Sequence, residues 1–102
     1  MAKFSWTHRV NEGVQFRGPD STIEVVVDKI LGYDGFRNAT ITITGVPNVD
    51  ETDIECNTYH RLTDDISLRI LPRRLGKGKA VRMEYVFPDE YDVHEYSVKK
   101  QI

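Results

Sequence analysis

The chain has 102 residues, of which 39% are hydrophobic and 29% charged, and its formal net charge is -2. This composition is typical of one soluble globular domain and excludes a disordered, collagen-like or coiled-coil chain. The slight acidity argues against a protein that coats nucleic acid through its overall charge, and no apolar run is long enough to predict a membrane-spanning helix.

The first ten residues lack the apolar core of a signal peptide. Cys56 is the only cysteine, so the chain cannot form an internal disulfide. Both features predict a reducing, cytoplasmic location.

Apolar and polar residues alternate with a period of two rather than 3.6, which predicts half-buried strands. The alternating apolar positions, in chain order, are Ile23, Val25 and Val27; Ile41 and Ile43; Ile66, Leu68 and Ile70; and Val81, Met83, Tyr85 and Phe87. Glycine-bearing turns at 32–35 and 76–78 predict hairpin connections. The sequence therefore predicts a single compact all-β domain, a small antiparallel barrel or sandwich, with at most a short helix after His94.

The basic residues concentrate in one stretch. Residues 69–82 hold six lysines and arginines and no acid, and four of them cluster at the predicted turn: Arg73, Arg74, Lys77 and Lys79. One interpretation is a solvated loop. The other is a local contact for the phosphates of a nucleic acid.

Two segments carry motifs that a known family also has. The first, 4–16, runs from an alternating strand through Thr-His-Arg-Val-Asn-Glu-Gly into a second apolar strand. The second, 64–98, reads Asp-Asp-Ile-x-Leu-x-Ile-Leu, then Val-Arg-Met, then Pro-x-Glu-x-x-Val-His. Both resemble segments of the carbon storage regulator family of RNA-binding proteins, and the Pro-x-Glu-x-x-Val-His spacing is the most specific element.

The family consists of homodimers with interleaved strands, and this chain resembles such a dimer fused into one polypeptide. The resemblance implies two imperfect internal copies, roughly 4–48 and 57–102, and a monomer that needs no second chain. A faint repeat of strand, glycine turn, strand and proline, offset by about 41 to 43 residues, accompanies these copies.

In the family, each RNA site joins the first strand of one protomer to the last strand of the other and binds a GGA sequence. The resemblance implies one composite site here, near Thr7-His8-Arg9 and Val93-His94-Glu95. Glu95 stands where the family has an arginine that contacts RNA, and a carboxylate there removes a donor and repels phosphate. The expected RNA-contacting residues are Thr7, His8, Arg9, Arg73, Arg74, Lys77, Lys79, Val93 and His94.

The sequence offers little for catalysis. The three histidines and Cys56 match no zinc-binding spacing, and no phosphate-binding loop motif is present. Cys56 beside His60 could form a nucleophile pair, although a lone cysteine at a strand edge is more often a packing residue. We predict no metal, no cofactor and no enzymatic activity.

Possible stacking surfaces for bases are found among nine aromatic residues: Trp6, Phe16, Tyr33, Phe36, Tyr59, Tyr85, Phe87, Tyr91 and Tyr96. Three of them, Phe16, Tyr85 and Phe87, lie on alternating apolar faces and are predicted to belong to the core, whereas both roles stay open for Trp6. The expected function is RNA binding that modulates translation. The alternative is a protein-interaction or structural β module that kept the scaffold and lost RNA binding.

Overall fold

The structure of the protein is a computed structural model that describes residues 1–45, 51–76 and 78–98. Over these residues the chain forms nine strands: β1 (Ala2–His8), β2 (Glu12–Arg17), β3 (Thr22–Tyr33), β4 (Phe36–Thr44), β5 (Glu51–Ile54), β6 (His60–Arg61), β7 (Ser67–Ile70), β8 (Val81–Phe87) and β9 (Asp92–Ser97). The all-β prediction is confirmed. The sequence left room for a short helix after His94, and residues 92–97 form a strand there instead.

The strands form two antiparallel sheets, with the orders β1-β8-β7-β6 and β5-β4-β3-β2-β9. Their apolar faces share one core cluster, so the architecture is a sandwich and not a closed barrel. Every predicted alternating apolar position is buried, as are Phe16, Tyr85 and Phe87. In the described part of the chain, no helix is long and apolar enough to cross a bilayer.

The two predicted glycine turns do connect paired strands. Tyr33 and Phe36 pair across the turn between β3 and β4, and β7 pairs antiparallel with β8 beyond a longer connection. A third glycine is required inside a strand, because a Cβ on Gly13 would overlap the carbonyl oxygen of Val25 on the neighbouring β3.

The two halves of the chain interleave. β1 pairs with β8 and β2 pairs with β9, so each sheet contains strands from both ends of the sequence. The two sheets are related by an exchange in which β1, β2, β3 and β4 take the places of β5, β6, β7 and β8, and the reverse. This exchange converts the order β1-β8-β7-β6 into β5-β4-β3-β2, which is the order of the other sheet without β9. In this exchange β5 is the counterpart of β1. Residues 46–48, which end the first expected copy, lie outside the described residues.

Candidate nucleic-acid interface

The expected composite site lies where the edge strands of the two sheets approach each other. The end of β1 and the end of β9 border an open cavity of about 400 Å³, lined by Thr7, His8, Glu12, Gly13, Glu95, Tyr96 and Ser97. Thr7 and His8 therefore line the same cavity as Glu95, as the resemblance implied. Val93 packs partly against the core instead, and His94 pairs with Gln15 on the outer face of the five-stranded sheet.

His8 is a core residue, which corrects the surface role that the sequence suggested for it. The residue is 3% exposed, and its Nε2 lies 2.8 Å from the hydroxyl of Tyr85, within hydrogen-bond distance. Burial lowers the pKa of His8 to about 4, so the ring is neutral at physiological pH. The reason is the alternation of β1, which turns residue 8 toward the same side as Ala2 and Trp6, both packed against the core.

The cavity itself is acidic. Glu12 and Glu95 both line it, and Glu12 also accepts a hydrogen bond of 2.7 Å from the backbone N–H of Arg9. No lysine or arginine belongs to the lining among the described residues. A phosphate entering this cavity would meet two carboxylates, so any polyanion must be held by the cations beside the cavity.

Those cations belong to Arg9 and to the segment that connects β7 to β8, residues 71–80, which we call the basic loop. Gly78 of this loop lies beside Arg9, since a Cβ on Gly78 would be 3.7 Å from Nη2 of the Arg9 guanidinium. Arg73, Arg74 and Lys79 are exposed. The structure thus brings Arg9 to the basic loop from which it is far removed in sequence. Lys77 lies outside the described residues.

The basic loop is also held by hydrogen bonds to the β3–β4 turn. The carboxylate of Asp34, in the β3–β4 turn, accepts hydrogen bonds from the backbone N–H groups of Leu75 at 2.7 Å and Gly76 at 3.1 Å. These bonds, chiefly the one from Leu75, hold the pKa of Asp34 below its usual value, and the charges of Arg37 and Arg74 add to the effect. The loop therefore reaches from the β3–β4 turn to the end of β1.

A second cationic surface was not found from the sequence. The outer face of the four-stranded sheet, turned away from the core, carries four cations and one acid: Lys3, Arg61, Arg69, Arg82 and Glu84. Arg82 donates hydrogen bonds of 3.1 Å to Oγ1 of Thr7 and to Oγ of Ser5. The sequence feature that could have revealed this surface is the period of two, because it assigns the polar positions of β1, β7 and β8 to one face of the sheet.

Glu84 lies at the centre of this outer face. Its carboxylate accepts hydrogen bonds from the Tyr59 hydroxyl at 2.6 Å and from Arg69 at 3.2 Å, and Lys3 Nζ is 3.9 Å away. The bond from Tyr59, followed by the charge of Arg69, lowers the pKa of Glu84 despite its burial. The Arg69 guanidinium also lies 4.7 Å from the centre of the Tyr59 ring.

Cys56 lies in surroundings typical of a packing residue rather than of a nucleophile. It forms an isolated bridge with Ile70, and its Sγ lies 3.9 Å from the carbonyl oxygen of Gly35. Burial raises the pKa of the Cys56 thiol, which opposes formation of the reactive thiolate. Within residues 1–45, 51–76 and 78–98, no group of three or more His, Cys, Asp and Glu side chains is placed to hold a metal ion.

Comparison with known proteins assigns no family. No family model, no curated protein and no solved structure matches this chain.

Proposed function

We propose that the protein binds RNA and modulates translation by covering a ribosome-binding site, and that it holds the phosphates through Arg9 and the basic loop. The observation that carries this proposal is the convergence of Arg9 with the loop that contains Arg73, Arg74 and Lys79. Several cations on one surface bind the backbone of a nucleic acid even when the whole protein is slightly acidic.

The strand topology supports the proposed kinship with carbon storage regulators. An interleaved dimer fused into one chain should exchange strands between its halves, and β1 with β8 and β2 with β9 are such pairs. The exchange that relates the two sheets would start a second copy at Glu51 rather than at residue 57. The end of β1 and the end of β9 come from different halves and border one cavity, as one composite site requires.

A protein-interaction module is the second candidate, and the lining of that cavity favours it. Glu12 and Glu95 repel phosphate at the position where the resemblance implies a principal RNA contact. In this alternative the cavity receives a basic side chain of a protein partner. We expect the partner's binding to depend on both carboxylates.

The test is a fluorescence titration of a labelled hairpin RNA with a GGA loop, against the same hairpin with the loop scrambled, at two salt concentrations. We expect tighter binding of the GGA loop and an affinity that falls steeply with salt. Absence of binding by folded protein at low salt would overturn the proposal and turn the search to protein partners.

Variants locate the site. Arg9→Ala and Arg73→Ala should each weaken binding and reduce the salt slope by about 0.7, the value expected for the loss of one phosphate contact to single-stranded RNA. Arg17→Ala is the matched control, because Arg17 is an exposed arginine on β2, in the other sheet. RNA binding that does not change on loss of Arg9 and Arg73 would contradict the assignment of the surface.

A further inference from the structure

Two aromatic side chains at the tip of the β3–β4 hairpin are left in solvent. Tyr33 is 83% exposed and Phe36 is 67% exposed, and the two residues lie opposite each other in the strand register. Leu31, on the same hairpin, is 53% exposed. Among the described residues neither ring belongs to the core cluster or to a stacked aromatic pair, so packing does not account for them. A local group of exposed apolar side chains of this kind marks an interaction site.

The hairpin tip is joined to the basic loop. The carboxylate of Asp34 lies between the two aromatic positions in sequence and accepts the N–H groups of Leu75 and Gly76. Gly35 lies against the side chain of Arg74, since a Cβ on Gly35 would be 3.1 Å from Cγ of that arginine. The exposed rings and the exposed cations of the loop are therefore parts of one connected surface.

The charge of this surface indicates what occupies it. Arg37, Arg73 and Arg74 are contributed by the hairpin and the loop, and Asp34 is the acid at the turn. Its carboxylate already accepts two backbone N–H groups, so it opposes an incoming anion less than a free carboxylate would. Aromatic rings beside arginines are the combination that binds single-stranded nucleic acid, since bases stack on the rings while cations hold the phosphates.

We infer that Tyr33 and Phe36 form a stacking platform for unpaired bases and that the basic loop holds the phosphates of the same RNA segment. This inference rests on the proposed function and extends it. It predicts a preference for unpaired RNA over a duplex, and a binding surface that extends from the end of β1 to the β3–β4 turn. Bases in a duplex are already stacked, so they cannot use the platform.

The test compares the binding of a labelled unstructured oligoribonucleotide and of a blunt RNA duplex by the parent protein and by the double variant Tyr33→Ala/Phe36→Ala. We expect the double variant to bind the single strand about tenfold or more weakly. Duplex binding and the salt slope should not change, because no cation is removed. Val98→Ala is the control, as it removes an exposed apolar side chain that lies beside Glu24 and Asp28, outside the proposed platform.

A second measurement does not depend on a loss of affinity. The fluorescence gained by Tyr33→Trp, measured as the difference from the parent protein with its own Trp6, should be quenched when the single strand is added and unaffected by the duplex. Single-strand binding that is equal in the parent and the double variant, or an unquenched indole in a complex that forms, would overturn the platform alone. Failure of the parent to bind either RNA would overturn the proposed function as well.

Discussion

The two sheets of the sandwich differ on both of their faces. The four-stranded sheet presents aromatic side chains to the core, among them Trp6, Tyr85 and Phe87. The five-stranded sheet presents mainly valine and isoleucine. The outer face of the four-stranded sheet is mainly cationic, whereas that of the five-stranded sheet carries the acids Glu24, Asp28 and Asp53. The formal net charge of -2 is therefore unevenly distributed, since the outer faces of the two sheets carry charges of opposite sign.

The acidic side is organised by side-chain hydrogen bonds. Thr40 donates to Asp53 at 2.8 Å, Gln15 donates to Glu24 at 3.1 Å, and Thr42 donates to Asp28. Glu24 and Asp28 both line a second cavity of about 180 Å³ on this face. A polyanion approaching the protein is repelled here and attracted to the opposite sheet, so the charge distribution orients it before contact.

The largest effect should come from the aromatic inner layer. Phe87 is 2% exposed, and its ring centre lies 5.4 Å from that of Phe16 and 5.8 Å from that of Phe4. We expect Phe87→Ala to lower the free energy of unfolding in urea by about 3 to 5 kcal/mol, through lost burial and a cavity. Ile43→Val, in the aliphatic layer, should cost about 1 kcal/mol. A cost for Phe87→Ala as small as that of Ile43→Val would show that the packing of the aromatic ring adds little stability.

The next effect depends on pH and belongs to the same aromatic layer. His8 has a pKa of about 4 in the folded chain, below the ordinary value of 6.5. Between these two values the unfolded chain binds the proton and the folded chain does not, so stability is lost as the pH falls from about 6.5 to about 4. The loss should amount to about 3 kcal/mol, measured by urea unfolding across this range.

The variant His8→Gln isolates this contribution. Its amide can still bond to the Tyr85 hydroxyl, and it cannot titrate. The variant should therefore lose most of the pH dependence above pH 5, whatever its absolute stability. His94→Gln removes an exposed histidine as the control. A pH dependence that persists in His8→Gln would assign the effect to other groups.

The fold could be predicted from the sequence because its signal is local. A period of two reports directly which residues face the core, and Ile41, Leu68 and Tyr85 are all buried as it indicates. The candidate site was harder to predict from the sequence, because it depends on pairing between strands that are far apart in the chain. Arg9 meets the basic loop, and Arg82 meets Thr7, only because β1 pairs with β8 across most of the chain.

His8 shows why matching residues to a motif was not sufficient. The resemblance placed it among the expected RNA-contacting residues, whereas the alternation of β1 requires residue 8 to face inward with Trp6. For this residue the alternation of the strand and the match to the motif indicate opposite orientations. The exposure of Tyr33 and Phe36 could not be deduced in the same way, since it depends on how far the β3–β4 hairpin extends past its neighbours.

The contribution of an acid to stability can be compared between the outer faces of the two sheets by one Glu→Gln substitution on each. Glu84→Gln removes the negative charge that accepts hydrogen bonds from Tyr59 and Arg69, on a side chain that is 12% exposed. We expect this change to lower the free energy of unfolding by about 1 to 2 kcal/mol. Glu24→Gln, on the acidic face, should stay within about 0.5 kcal/mol. Both are measured by urea unfolding at neutral pH. If the two costs are equal, the cationic face does not depend on its central acid.

The smallest effect concerns the rim of the cationic face. Lys3 Nζ is 3.9 Å from Glu84, and the lysine side chain is 61% exposed, so water screens most of their attraction. We expect Lys3→Gln to change the free energy of unfolding by less than about 0.5 kcal/mol, and the difference to vanish near 1 M salt. Arg69, 3.2 Å from the same carboxylate and 26% exposed, should keep most of its contribution in salt. If salt abolished both contributions equally, the hydrogen bond from Arg69 to Glu84 would add no stability beyond the screened attraction of their charges.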